Sequence, residues 1–322
     1  MTWESRAVTS DQRRVWSETD ELGASGEARA VGAAHRPVLV KEVTEFLNVQ
    51  PGGVYIDATV GSGGHAEAIL AQLTRGRLLG IDRDPLALAA AGGRLAPFGE
   101  KVTLVHGNFA EIDQLHAASG LPPVQGVLAD LGLSSIQLAD ASRGFSFNLE
   151  GPLDMRLDPA TDTTAADLVN HLSERELADL IFKFGEERQS RRIARAIVRA
   201  RPIRTSTELA QVVTRAIPSR PGPHQIHPAT RTFMALRLAV NHELENLEQF
   251  LARVLAVVAS GGRVVVISFH SLEDRIVKGS FAARRRDGWA QVLTRKVVRP
   301  GEAEVARNPR ARSAKLRAAE KL

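Results

Sequence analysis

The sequence predicts an α/β fold: an open, mostly parallel sheet wound by helices and interrupted by an all-helical insertion. Three observations predict it. Between about residues 50 and 139, short β-branched runs alternate with stretches of helical periodicity, in the order strand, helix, strand, helix, strand, helix, strand. From 140 to 230 no run reads as a strand, and helical periodicity takes over. From 231 to 322 the alternation resumes. The implied division is a sheet domain built from 35–139 and 231–322, a helical domain at 140–230 and a disordered extension at 1–34.

Residues 1–34 are polar, carry both charges and lack an apolar core. They predict neither a secretory signal nor a transit peptide. His35-Arg-Pro-Val-Leu39 opens the folded part, and Leu39, Val43, Phe46 and Leu47 line one helical face. Strands follow at Val54–Ile56, Leu78–Ile81, Val102–Val105 and Gly126–Ala129. Arg143 to Arg156 reads as a long ordered loop. Helices are predicted at 166–172, 174–184, 186–200 and 206–217. A single long helix over 229–258 carries the stripe Phe233, Leu236, Val240, Leu244, Leu247 and Leu251, and Gly261-Gly262 ends it. A buried strand at 263–269 and tail strands near 292–298 and 314–319 complete the sheet.

The first strand ends in Asp57, and the turn Gly61-Ser-Gly63-Gly64-His65 leads into a helix. Glycine admits the backbone dihedrals of such a turn and lets a ligand approach closely. The N–H groups at the helix start favour polar or anionic ligand groups. The next strand ends in Asp82, about 20 residues on, where an acidic side chain grips ribose hydroxyls. Gly61, Gly63 and Ala66 also satisfy the dinucleotide pattern, so this turn alone leaves a nicotinamide cofactor open. Three features favour S-adenosylmethionine (SAM). Asp57 suits an amino-acid ammonium and would repel a pyrophosphate. Asn108-Phe109 offers a polar and aromatic edge for adenine. Asp130 faces the point of methyl delivery.

The net charge of +5 suggests a polyanionic partner. The absence of cysteine excludes disulfides, thiolate metal sites and cysteine nucleophiles, and fits a reducing cytoplasm. No uninterrupted apolar run reaches the length of a membrane span.

The chemistry-bearing candidates lie at strand ends. Asp130 is placed to accept a hydrogen bond from an exocyclic amine, with cofactor positioning as the alternative role. Gln137 suits the cofactor or a base edge, and equally a helix surface. His270, after the late strand, is a candidate proton acceptor or substrate ligand. Ser271 and Asp274 match a helix cap, and Arg275 and Lys278 follow as phosphate contacts. Arg188, Arg192, Arg195 and Arg199 fall on one helical face, either as a phosphate track or as a solvated face partnered by Glu186 and Glu187. A second basic cluster runs from Arg284 to Arg286 and from Arg307 to Arg317. Phe145 and Phe147 are candidates to sandwich an extruded base, or to tuck the loop onto the core.

Long strings resemble the bacterial RsmH (MraW) family. They include Asp57-Ala-Thr-Val-Gly-Ser-Gly-Gly-His65, Gly80-Ile-Asp-Arg-Asp-Pro85, Asp130-Leu-Gly-Leu-Ser-Ser135, Arg143-Gly-Phe-Ser-Phe147, Gly151-Pro-Leu-Asp-Met-Arg156 and His227-Pro-Ala-Thr-Arg-Thr-Phe233. So do Ile267-Ser-Phe-His-Ser-Leu-Glu-Asp-Arg275 and Asn308-Pro-Arg-Ala-Arg-Ser-Ala-Lys-Leu-Arg317, and the resemblance runs from about His35 onward. It implies a class I SAM-dependent methyltransferase (Rossmann-like) sheet with an inserted helical domain. It implies methylation of N4 of a cytidine in the decoding centre of 16S ribosomal RNA. SAM contacts are implied at Gly63, Gly64, His65, Asp82, Phe109, Asp130 and Gln137. The expected partner is 16S rRNA within the small ribosomal subunit, with no membrane and no metal, and self-association as a homodimer is compatible with these properties. Rival readings are a methyltransferase acting on DNA or a small amine, and a ribosome assembly factor that binds SAM without transferring a methyl group.

Overall fold

The structure, a computed structural model, describes residues 36–217 and 227–322; the extension expected at 1–34 lies outside the described residues. Strands β1 (Val54–Asp57), β2 (Arg77–Asp82), β3 (Val102–His106), β4 (Val124–Asp130), β5 (Val258–Ser268), β6 (Ala290–Val292) and β7 (Lys315–Lys321) form one sheet in the order β3-β2-β1-β4-β5-β7-β6. The first five pair in parallel. β7 runs antiparallel between β5 and β6. The strand order reverses between β1 and β4, so their carboxyl ends open the crevice where such sheets bind ligands.

Helices α1 (Val40–Leu47), α2 (Gly64–Leu70), α3 (Pro85–Leu95), α4 (Ile112–Ser119) and α5 (Ser135–Ala139) accompany the first half of the sheet. The helical segment contains α6 (Ala165–His171), α7 (Glu174–Gly185), α8 (Ser190–Ala200) and α9 (Ser206–Ala216). Then come α10 (Thr230–Val240), α11 (Glu243–Val257), α12 (Ser271–Arg286) and α13 (Glu302–Arg307).

Strand periodicity sends alternate side chains to opposite faces. Ile56, Leu79 and Val127 pack under α11 with Leu251 and Val254. Their neighbours Tyr55, Leu78 and Leu128 pack against Val43, Leu47 and Ile69 on the other face. A third core joins Leu177, Ile181, Ile193, Ile197, Leu209 and Val213 to Phe233 and Leu236 of α10.

The expected long helix is two helices. Asn241 is fully buried; its Nδ2 donates to the Met155 carbonyl at 2.7 Å, and its Oδ1 accepts from the Leu157 N–H at 2.7 Å. His242 at φ 50° turns the chain. α10 consequently packs into the helical core while α11 covers the sheet, which extends the helical block past the expected boundary at 230 to Val240. Gly261-Gly262 do not end a helix; they sit inside β5 at a register shift against β4. A Cβ on Gly262 would lie 2.9 Å from the Val124 carbonyl oxygen, so only glycine fits this irregularity without displacement. The tail strand expected at 292–298 does not form as such: β6 covers Ala290–Val292, overlapping it only at Val292, and Val298 makes an isolated bridge to Leu316.

Candidate active site

β1 and β4 end side by side at the reversal point. Asp57, at the end of β1, is buried; its Oδ1 accepts from the Thr59 N–H at 3.3 Å, and its Oδ2 has no partner. Burial pushes this carboxyl up to about 7. The nearby Asp130 and Asp82 carboxylates add to the rise, and His65 and the Thr59 N–H oppose it.

The glycine turn is built on left-handed backbone at Gly61 (φ 53°) and Gly63 (φ 83°), the latter capping α2. L side chains are disfavoured there. Asp82 holds this turn: its Oδ2 accepts from the Gly61 N–H at 2.8 Å, and its Oδ1 from the Asp84 N–H at 2.9 Å. Burial raises its pKa, opposed by those N–H donors. Each carboxylate oxygen retains a lone pair for a ribose hydroxyl.

Gly64 and His65 form the first turn of α2. Both ring nitrogens of the buried His65 lack a hydrogen bond; Nε2 lies 3.5 Å from Asp130 Oδ2, within ion-pair reach but without hydrogen-bond geometry. Thr59 links the turn to β4, its hydroxyl accepting from the Asp130 N–H at 2.7 Å. Asp130 Oδ1 and the Ser62 hydroxyl are also buried without partners. An unpaired buried polar group costs about 1–3 kcal/mol, so four such side chains around one turn mark a place built for a polar ligand. With Asp57 among them, the set fits SAM, whose cationic amino-acid group a carboxylate can hold, and disfavours a pyrophosphate.

Phe109, just after β3, is half-buried and meets Phe250 edge-on at 5.3 Å. Asn108 fixes it, accepting from the Ala110 N–H and donating to Asn246 Oδ1, each at 3.0 Å. Gln137 is buried and engaged at both ends of its amide. Its Oε1 accepts from the Ser134 N–H at 2.9 Å, and its Nε2 donates to Asp84 Oδ2 at 2.8 Å. The same Asp84 oxygen accepts from Arg143 at 3.0 Å, while Arg143 also donates to the Arg156 and Leu157 carbonyls. This buried clamp ties the loop after β4 to the end of β2.

His270 leaves β5 at the same edge, since Asp130 pairs with Ile267. The cap of α12 is His270 with Glu273, not Ser271 with Asp274. Asp274 instead pairs with Arg317 at 2.6 Å, and the Ser271 hydroxyl bonds Glu186. His270 Nε2 stands 3.1 Å from the buried Glu273 Oε1, an ionic distance without hydrogen-bond geometry.

Phe145 is buried in the helical core, which fits the tucking of the loop, and the half-buried Phe147 stacks one face on His227 at 4.4 Å. The basic stripe is shorter than expected because α8 starts at Ser190, leaving Arg188 in the preceding turn. Arg192, Arg195 and Arg199 are exposed on α8, with Arg195 paired to Glu174 at 3.3 Å. Glu186 and Glu187 do not partner this face; they pair with Arg275 and Arg231. Lys278 is exposed on α12.

Thr59, Ser62, Asp84 and Arg143 were not singled out by sequence reasoning. A lone arginine before the glycine-rich loop was the available signal for Arg143, because such a charge is buried only with a partner.

A parallel sheet reversing at β1 and β4, β7 inserted antiparallel beside β5, and carboxylates on three strand ends around a glycine turn define a class I SAM-dependent methyltransferase. The chain belongs to the MraW methylase family, whose model matches residues 32–322. It is 51% identical over 306 residues to the ribosomal RNA small subunit methyltransferase H of Syntrophobacter fumaroxidans, covering 89% of this chain and 96% of that protein. The protein of the same name from Gloeobacter violaceus is 54% identical over 294 residues, covering 91% and 90%.

Proposed function

We propose that this enzyme methylates the exocyclic N4 of a cytidine in the decoding centre of 16S rRNA, acting in the cytoplasm on the small ribosomal subunit. The relatives' names support the RNA class, and the family strings support the base and its location. One observation carries the chemistry: Asp130 Oδ1, at the carboxyl end of β4, is a buried acceptor without a partner. An exocyclic amine is a poor nucleophile because its lone pair is delocalised into the ring. Asp130 accepts from its N–H, orients the lone pair and stabilises the positive charge that develops on nitrogen. Asp57 receives the cofactor's ammonium, Asp82 the ribose hydroxyls, and Phe109 borders the adenine. When bound, SAM would supply an electrophilic methyl on a sulfonium, its sulfur leaving as the thioether as N4 gains the methyl and gives up one proton. Among the described residues no helix is long and apolar enough to cross a membrane.

The test is transfer of labelled methyl to small subunits lacking the modification, followed by nucleoside mass analysis, with naked 16S RNA and DNA alongside. N4-methylcytidine on the subunits is the expected product. SAM binding without transfer to any of the three would sink the proposal in favour of a non-catalytic assembly factor.

A further inference from the structure

We propose that Phe182, in the last turn of α7, is a stacking platform for single-stranded RNA next to the target nucleotide. This rests on the RNA substrate proposed above. The inner face of α7 is Leu177, Ala178, Ile181 and Gly185, all buried, whereas Phe182 is 59% exposed. A ring held so far into water adds little to the helical core. α7 and α8 pack together in the helical core, joined by residues 186–189, and Glu174 at the start of α7 pairs with Arg195 midway along α8. Phe182 lies in the last turn of α7, and Arg188, Arg191 and Arg192 follow in the connection and the first turn of α8. All three are exposed, and none has a partner among the described residues.

The location connects this face to the crevice. Glu186, one turn beyond Phe182, accepts from the Ser271 hydroxyl and from Arg275, the latter at 3.0 Å. Ser271 follows His270 at the carboxyl edge of the sheet. An exposed aromatic ring on a helix that leads into a connection of unpaired arginines, joined through Glu186 to the rim of the catalytic crevice, is complementary to a polyanion with stackable bases. With Phe145 buried and Phe147 half-buried against His227, Phe182 is the exposed phenylalanine of the helical block among the described residues.

The experiment measures KM for unmodified small subunits and Kd for a short single-stranded RNA. Phe182→Ala is expected to raise both by about 10-fold, the scale of one lost stacked base, while leaving SAM affinity and Tm unchanged. Phe182→Trp restores binding, and its fluorescence is quenched by the RNA; Phe182→Leu does not restore it. Trp289, exposed at the far end of α12, supplies the control Trp289→Ala. Unaltered RNA binding in Phe182→Ala, rescue by Leu equal to that by Trp, or an equal loss in Trp289→Ala would each overturn the assignment. Wild-type enzyme that methylates no rRNA overturns the functional reading beneath it. Methylating wild type with an unaltered Phe182→Ala overturns only this inference.

Discussion

Asp57 is neutral over much of the acidic range because burial pushes its carboxyl up to about 7. An ammonium beside it favours the carboxylate, so cofactor binding drives off a proton. SAM affinity therefore rises with pH, by at most about tenfold per unit below pH 7, and levels off above. Calorimetry in buffers of different ionisation enthalpy checks this by reading the protons released. The sign for folding is opposite. The folded state holds the proton more tightly than the unfolded chain, so this group's contribution to stability is present at low pH and is lost as pH rises from about 4 through 7. Asp57→Asn is expected to flatten that decline and to weaken SAM binding about tenfold or more; thermal unfolding at pH 5 and pH 8 with SAM titration decides it. Asp130→Asn should leave SAM affinity within a few-fold and reduce kcat by roughly 10²–10³, the scale of losing one preorganised electrostatic contact. Unchanged turnover would remove Asp130 from the chemistry.

At the scale of elements, the Asp84–Arg143 clamp decides whether the loop after β4 stays against the cofactor turn. Arg143→Met strands a fully buried carboxylate with Gln137 as its remaining side-chain partner. It should cost about 3–5 kcal/mol, read as a lower urea midpoint, whereas Arg143→Met with Asp84→Leu should recover part of that loss. Much at this scale was legible in the sequence. α6, α7 and α9 fall within a residue of their predicted spans, because apolar periodicity and Ser or Thr caps are local signals. So were Asp57, Asp82 and Asp130, since a strand end places its last side chain at the ligand edge. The break at Asn241 was not, because its partners, Met155 and Leu157, come from a distant loop and the apolar stripe runs through both helices. The clamp was hidden for the same reason, and so was the stacking of Phe147 on His227: periodicity marks a buried side, never the remote residue that fills it.

For the whole molecule, the net charge of +5 matters through its placement. Arg188, Arg192 and Arg199 are exposed without partners among the described residues, while Arg195 is held by Glu174. Replacing any of the first three by Ala should weaken RNA binding uniformly across sequences and make the salt dependence shallower by about 0.7 per lost phosphate contact. Arg195→Ala should do less; binding isotherms over a series of salt concentrations compare the four. The position of β7 carries a different consequence. Among the described residues it is the last strand in sequence, yet it lies inside the sheet and is the only strand that β6 pairs with. During synthesis β5 must wait with one side open until residues 315–321 emerge. The catalytic sheet closes only once these residues have left the exit tunnel, and a nascent chain arrested before Lys315 would leave the edge of β5 open to its neighbours.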